Sequence, residues 1–133
     1  MMHECNVKVR FSETDALGHV NNTSYFIYLE EARVEYFKQF DPHCDIKDWK
    51  YVVVSIKCDF INQAFFDQQL RILSRVSHVG TKSFKIEHLI VDAHSNQHIA
   101  KGEAVIVYFN FETQQSEVIP DQLRLELEKE LVV

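Results

Sequence analysis

The sequence predicts an α+β fold in which one antiparallel sheet wraps around one long central helix. Three observations carry that expectation. The chain has 133 residues, 46% of them apolar, enough for one domain with a real core and too few for two of ordinary size. The first half contains one strong helical stripe. Four long runs of strand-like alternation then follow one another without crossover helices between them, so neighbouring strands are joined by turns and run antiparallel.

The elements follow in order. Val7, Val9 and Phe11 alternate with Lys8 and Arg10, the period-two pattern of a first strand over 7–11. Residues 24–40, "SYFIYLEEARVEYFKQF", place Tyr25, Leu29, Ala32 and Tyr36 on one helical stripe, widened by Phe26, Phe37 and Phe40. Pro42, with no N–H to donate, stops that helix. A strand over 51–61 sets Val52, Val54, Ile56, Cys58 and Phe60 on one face, and further strands span 69–79, 82–93 and 99–111. The turns between them, "HVGTKS" and "DAHSNQH", contain Gly80 and Asn96, residues suited to positive φ. Residues 120–131 form a short closing helix with Pro120 at its start. No repeat or linker divides the chain, so the expected domain is 1–133. A sheet of such strands has exposed edges, which invite pairing with a second copy.

Composition narrows the function. Aromatics at 12%, three Gly and two Pro exclude a disordered or collagen-like chain. A formal charge of -6 without any Lys/Arg-rich run argues against nucleic-acid binding. The opening "MMHECNVKVR" lacks the apolar core of a signal peptide. The longest apolar run, "AVIVYF" at 104–109, is far short of the ~20 residues that span a bilayer, so a cytoplasmic location and no membrane partner are expected. Cys5, Cys44 and Cys58 form no C-x-x-C pair and read as free thiols. His88, His94 and His98 match no zinc spacing and read as solvent-exposed, so no metal is expected. There is no G-x-S-x-G, H-E-x-x-H, P-loop or G-x-G-x-x-G.

What stands out is "ETDALGHVNNTSYF" at 13–26, which gathers Asp15, His19, Asn21 and Asn22 just before the long helix. Turn and cap chemistry accounts for part of it: Asp and Asn favour turns, Gly18 is permissive, and Thr23 or Ser24 suits the helix cap. Geometry adds a second reading. The free N–H groups and positive dipole end of the helix lie beside Asp15, so a carboxylate there is placed to work on an electrophilic carbonyl.

"TDALGHVNNTSYFIYLEEAR" resembles the signature of hotdog-fold acyl-CoA thioesterases of the 4-hydroxybenzoyl-CoA thioesterase type, in which a D-x-x-G-H-V-N-N loop leads into the central helix. The resemblance continues through "VSIKCDFINQAFFDQQLRILSRVSHVGTKSF" and "AKGEAVIVYFN", nearly the whole chain. It implies hydrolysis of an acyl-CoA or acyl carrier protein thioester without a cofactor, CoA being part of the substrate. It further implies a homodimer with interfacial active sites, often paired into a homotetramer. Residue by residue, it places the catalytic carboxylate on Asp15 and a backbone oxyanion donor near Asn22, with His19 as a further catalytic candidate and Asn21 as a substrate-binding one. Glu30 and Arg33 of "YLEEAR" stand at i, i+3 spacing and read as a pair on the helix surface.

Asp15 then acts either as general base toward water or as nucleophile, and the sequence leaves both open. Lys82 with Ser83, in the turn begun by Gly80 and Thr81, resembles a step that contacts the nucleotide phosphates, while a plain hairpin with a solvated lysine fits equally. Tyr25 and Phe60 are candidates to line the acyl site, or simply to pack the core. Two other readings stand beside hydrolysis. A hotdog enoyl-thioester hydratase or dehydratase also uses Asp and His, but separates them by four residues and carries G-D-x-N-P, against three residues between Asp15 and His19 here. A non-catalytic acyl-thioester binder has the same fold without turnover.

Overall fold

The computed structural model describes residues 2–42 and 46–131. Strand β1, His3–Lys8, leads through a 3-10 turn at Phe11–Glu13 and a tight loop into helix α1, Asn22–Phe40. Strands β2 (Tyr51–Phe60), β3 (Gln69–Val79), β4 (Ser83–Asp92) and β5 (His98–Asn110) follow, then the two-residue β6 (Gln115–Ser116) and helix α2 (Asp121–Lys129). The sheet order is β1-β3-β4-β5-β2 with β6 on β5, and every pairing is antiparallel. β1 and β2 are therefore its edges.

The first strand lies earlier than the 7–11 expected. Its half-buried side is His3, Cys5 and Val7. Val9 is buried beyond the strand's end, with its N–H on the Gln68 carbonyl at 2.9 Å. The 3-10 turn then swings Phe11 outward to 76% exposure, against the edge of Phe66.

α1 is capped by Asn21 rather than by Thr23 or Ser24: Asn21 Oδ1 accepts from the Thr23 N–H and hydroxyl, each at 3.0 Å. The buried stripe is Tyr25, Tyr28, Leu29, Ala32, Tyr36, Phe37 and Phe40. Arg33 belongs to it too. It is one turn beyond Leu29 and only 4% exposed, so it is not a surface partner of Glu30, and its Nη1 has no hydrogen-bond partner among the described residues.

β2 corrects a second expectation. Its pairing with β5 slips by one residue between Val53 and Ser55. Residues that pair directly across an antiparallel ladder share a face. Tyr51, Val53, Ile56, Cys58 and Phe60 thus lie on the helix side, opposite Tyr108, Ile106, Ala104, Gly102 and Ala100. Val52 drops out of the expected set, and Val54 is the extra residue of the bulge, 58% exposed.

One row crosses all five long strands: His3 pairs with Ser74, Ser74 with His88, His88 with Gly102, and Gly102 with Cys58. At Gly102 the helix rests on bare backbone, since a Cβ there would stand 2.7 Å from Leu29 Cδ1. His3 stacks on Tyr36 at 5.2 Å. His88 is buried, 3% exposed, with Nδ1 2.7 Å from Ser74 Oγ, whereas His94 and His98 are exposed as expected. The row separates two apolar clusters. One surrounds the start of α1 with Val9, Val20, Tyr25, Leu70 and Ile90; the other surrounds its end with Phe37, Phe40, Phe84, Ile106 and Leu127.

Of the two turns, Asn96 takes φ 62 as expected, but Gly80 does not have positive φ. Gly80 answers instead to crowding, since a Cβ would meet the Ser83 carbonyl at 3.2 Å. Arg124 of α2 braces this turn by donating to the Gly80 carbonyl at 2.7 Å. Among the described residues no helix is long and apolar enough to cross a membrane.

Candidate active site

The loop between the 3-10 turn and α1 is a closed hairpin. Thr14 bridges to Val20, the Asp15 N–H donates to the His19 carbonyl at 2.8 Å, and the Gly18 N–H returns to the Asp15 carbonyl at 3.1 Å. Gly18 sits at φ +82, a conformation an L side chain rarely adopts, so here glycine is required by the backbone. Val20 N–H on the Ala64 carbonyl and Asn21 N–H on the Glu13 carbonyl brace the loop from two sides.

Asp15 is exposed, and Oδ1 is fixed by N–H groups of its own loop, from Leu17 at 2.9 Å and His19 at 3.3 Å. Oδ2 makes no hydrogen bond among the described residues, which leaves one carboxylate oxygen free for a proton or an electrophile. The first turn of α1 begins seven residues on. The Thr23 N–H goes to the Asn21 side chain and the Ser24 N–H to the Asn21 carbonyl. As the first helical residue, Asn22 has no intrahelical acceptor and is exposed. Its N–H is the donor still available at the positive end of the helix.

The other expected site residues are distributed unevenly. The His19 ring is half-buried, meets the edge of Phe65 at 5.2 Å, and touches Asp15 only through backbone. Asn21 has its oxygen committed to the cap, leaving its amide group free. Tyr25 is a core residue, 3% exposed, whose hydroxyl accepts from the Ala64 N–H at 3.3 Å. Phe60, 45% exposed, lies 5.3 Å from the Tyr25 ring at the surface. Gly80, Thr81, Lys82 and Ser83 lie at the opposite end of α1, in the turn beside the Phe37–Phe84 cluster. The helix of 19 residues puts roughly 28 Å between its ends. Asp15 and Lys82 of one chain do not meet.

Neither of the described cysteines is primed as a nucleophile. Burial pushes the Cys58 thiol up to about 11 and raises that of Cys5 as well. Cys44 lies outside the described residues. A trough of about 340 Å³ on the outer face of the sheet, lined by Lys57, Arg75, Glu87, Lys101 and Glu103, lies away from the loop, and its charges are largely paired, as in Arg75–Glu87 at 2.9 Å.

Sequence reasoning passed over Glu13. It is buried, 6% exposed, beside the loop it introduces. Burial alone disfavours its charge, yet hydrogen bonds from the Arg10 side chain and backbone and from Tyr28 prevail and hold its carboxyl below the usual carboxylate range. The Arg10-x-x-Glu13 spacing was the available signal, but nothing in it marks burial.

A hotdog sheet around α1 and an acid loop at the helix start define a protein of the thioesterase class. The chain belongs to the thioesterase-like superfamily, which matches residues 9–127. Bacillus subtilis (strain 168) YsmA is 43% identical over 83 residues, 62% of this chain, and the match spans only 56% of that relative's length. The long-chain acyl-CoA thioesterase FadM of Escherichia coli (strain K12) is 27% identical over 95% of this chain and 97% of its own. A structure described as a predicted thioesterase from Bacillus stearothermophilus superposes with a TM-score of 0.92 at 33% identity, covering 99% of this chain and 98% of that one.

Proposed function

We propose that this chain hydrolyses acyl-CoA thioesters to the free acid and CoA, with Asp15 as base or nucleophile and the Asn22 N–H as oxyanion donor. The observation that carries the reading is the Asp15 carboxylate, half secured by its own loop and half free, beside a helix start with an unused N–H. The similarity to FadM supports acyl-CoA as the substrate class.

A thioester needs little machinery. Its carbonyl has weak resonance stabilisation, and the leaving thiol has a pKa near that of Cys, about 8.5, so the thiolate departs without strong acid help. In the general-base route Asp15 takes a proton from water, whose oxygen bonds to the carbonyl carbon; the C–S bond then breaks and the thiolate recovers the proton. In the nucleophilic route Asp15 attacks the carbonyl and expels the thiolate, and water opens the mixed anhydride. Either way the oxyanion is stabilised by the helix N–H, a contribution on the order of 10²-fold in rate. Neither route uses a metal or cofactor. The His19 ring and the Asn21 amide then shape the mouth of the site rather than transfer protons.

The active unit in this reading is a homodimer or a pair of them. Asp15 stands exposed rather than enclosed, Lys82 of the same chain is a helix length away, and β2 is an edge whose Val53, Val54, Ile56 and Phe60 are solvent-facing. A second copy paired there covers these groups, closes an acyl site against Phe60, and offers its own Lys82 turn to the nucleotide phosphates. An acyl carrier protein thioester is the alternative donor.

The test is thiol release from acetyl-, octanoyl-, palmitoyl- and benzoyl-CoA by the wild type and by Asp15→Asn. At least one ester is turned over, and the variant, folded and of the same oligomeric state, loses at least 10²-fold in kcat. No turnover of any ester removes the function, and an active Asp15→Asn removes Asp15 from it.

A further inference from the structure

Resting on that reading, we propose that Glu13 is a positioning residue for hydrolysis, holding the Asp15 loop in register with the first turn of α1. Both of its ends are used. Glu13 Oε1 accepts from the Arg10 N–H at 2.8 Å and the Tyr28 hydroxyl at 2.9 Å; Oε2 accepts from Arg10 Nε at 3.0 Å and Nη2 at 2.7 Å. Its main-chain carbonyl accepts from the Asn21 N–H at 2.8 Å and the Ser24 hydroxyl at 3.1 Å. One buried residue therefore joins the chain leaving β1, the cap of α1 and the second turn of that helix. Asp15 stands two residues along from it, and the donor at Asn22 stands next to the Asn21 it grips.

A surface ion pair does not explain this arrangement. The Arg10 side chain is 75% exposed while that of Glu13 is 8% exposed, so the guanidinium lies over a carboxylate that has been drawn inward. A carboxylate taken out of water requires full pairing, and here both oxygens receive two donors each. Fixed distance is what such a group supplies. In a site with one carboxylate and one donor, a displacement of about 1 Å between them lowers turnover by as much as 10²-fold.

Glu13→Gln tests the proposal. The amide keeps the size but turns an NH₂ toward either Arg10 or Tyr28, where a donor already points. Kinetics on the best-hydrolysed ester of the acyl-CoA panel are read alongside thermal unfolding, with Asp15→Asn as reference. The expected result is a kcat per folded site reduced about 10- to 100-fold with KM within about threefold of wild type, because loop register matters only to the reacting atoms. Tyr28→Phe, which removes one of the four carboxylate bonds, lowers kcat less and in the same direction. A purely structural role lowers the melting temperature and leaves kcat per folded site unchanged, and that outcome overturns the proposal. Should Glu13→Gln not fold, Tyr28→Phe decides by the same split. If Asp15→Asn itself stays active, the hydrolytic reading falls whatever Glu13 does; if Asp15→Asn is dead and both Glu13→Gln and Tyr28→Phe keep wild-type kcat, only the positioning role falls.

Discussion

His88 is a residue whose chemistry the interior alters strongly. Burial first, then the nearby Arg33 cation and the His3 ring when protonated, push its pKa from an ordinary 6.5 down to about 3. The folded chain thus holds His88 neutral in a range where the unfolded chain protonates it. Stability from this group is complete above pH 6.5 and is lost as pH falls toward 3, at up to about 1.4 kcal/mol per pH unit. Half-buried His3, also lowered chiefly by burial, adds the same sign. Urea unfolding between pH 7.5 and 4.5 should find the wild type weakening on acidification and His88→Gln weakening distinctly less. Parallel lines would show that His88 is not held neutral. Nothing in "IEHLIV" announces this, because a histidine in an alternating strand looks the same whether its neighbour across the ladder is Ser74 or water. Glu13 was hidden for the same reason: burial of a charged residue depends on partners such as Tyr28, fifteen positions away. Asp15, His19 and the two asparagines were legible because their chemistry is local to one loop.

At the level of elements, α1 is the scaffold and, in the proposed mechanism, also the donor, and Asn21 separates the two roles. Asn21→Ala removes the cap and should cost about 1 kcal/mol, or roughly 3–5 °C in melting temperature. Asn21→Asp caps equally well and favours the helix dipole, so stability should hold. Yet it sets a negative charge beside the proposed oxyanion site, and kcat should drop by an order of magnitude or so. Calorimetry and steady-state kinetics on the two variants check this; equal kcat in wild type and Asn21→Asp would dissociate the helix start from catalysis. The strands show why patterns give elements but not their phase. β3 runs over the residues expected because Leu70, Ile72 and Val76 keep one face apolar along it, although its pairing with β4 also slips, between Val76 and His78. In β2 the run Val52-Val53-Val54 is apolar at every position, so no periodicity reveals where the bulge slips the register. The early start of β1 was equally obscure, its inward face being His3, Cys5 and Val7, only one of them strongly apolar.

For the whole molecule, the open β2 edge is the feature that asks for a second copy. Ile56, 40% exposed and on the helix side of β2, lies within the surface that pairing would cover. Sedimentation at assay concentration should find the wild type dimeric or larger, and Ile56→Lys largely monomeric with at least tenfold lower turnover; a fully active monomer would remove the shared site. That the sheet has free edges was readable from consecutive strands, but which edge is apolar required the sheet order, since β2 precedes β3 in sequence and sits farthest from β1 in space. The row from His3 to Cys58 has a consequence for engineering. Because a layer of polar groups and one glycine stands between the two apolar clusters, substitutions around Phe84, Ile119 and Leu127 touch neither Glu13 nor the Asp15 loop. Changes at sites without shared partners combine nearly additively. The half of the core under the α2 helix is accordingly where thermal tolerance can be raised without stiffening the Asp15 loop, as long as the Lys82 turn that Ile119 and Arg124 brace is left unchanged.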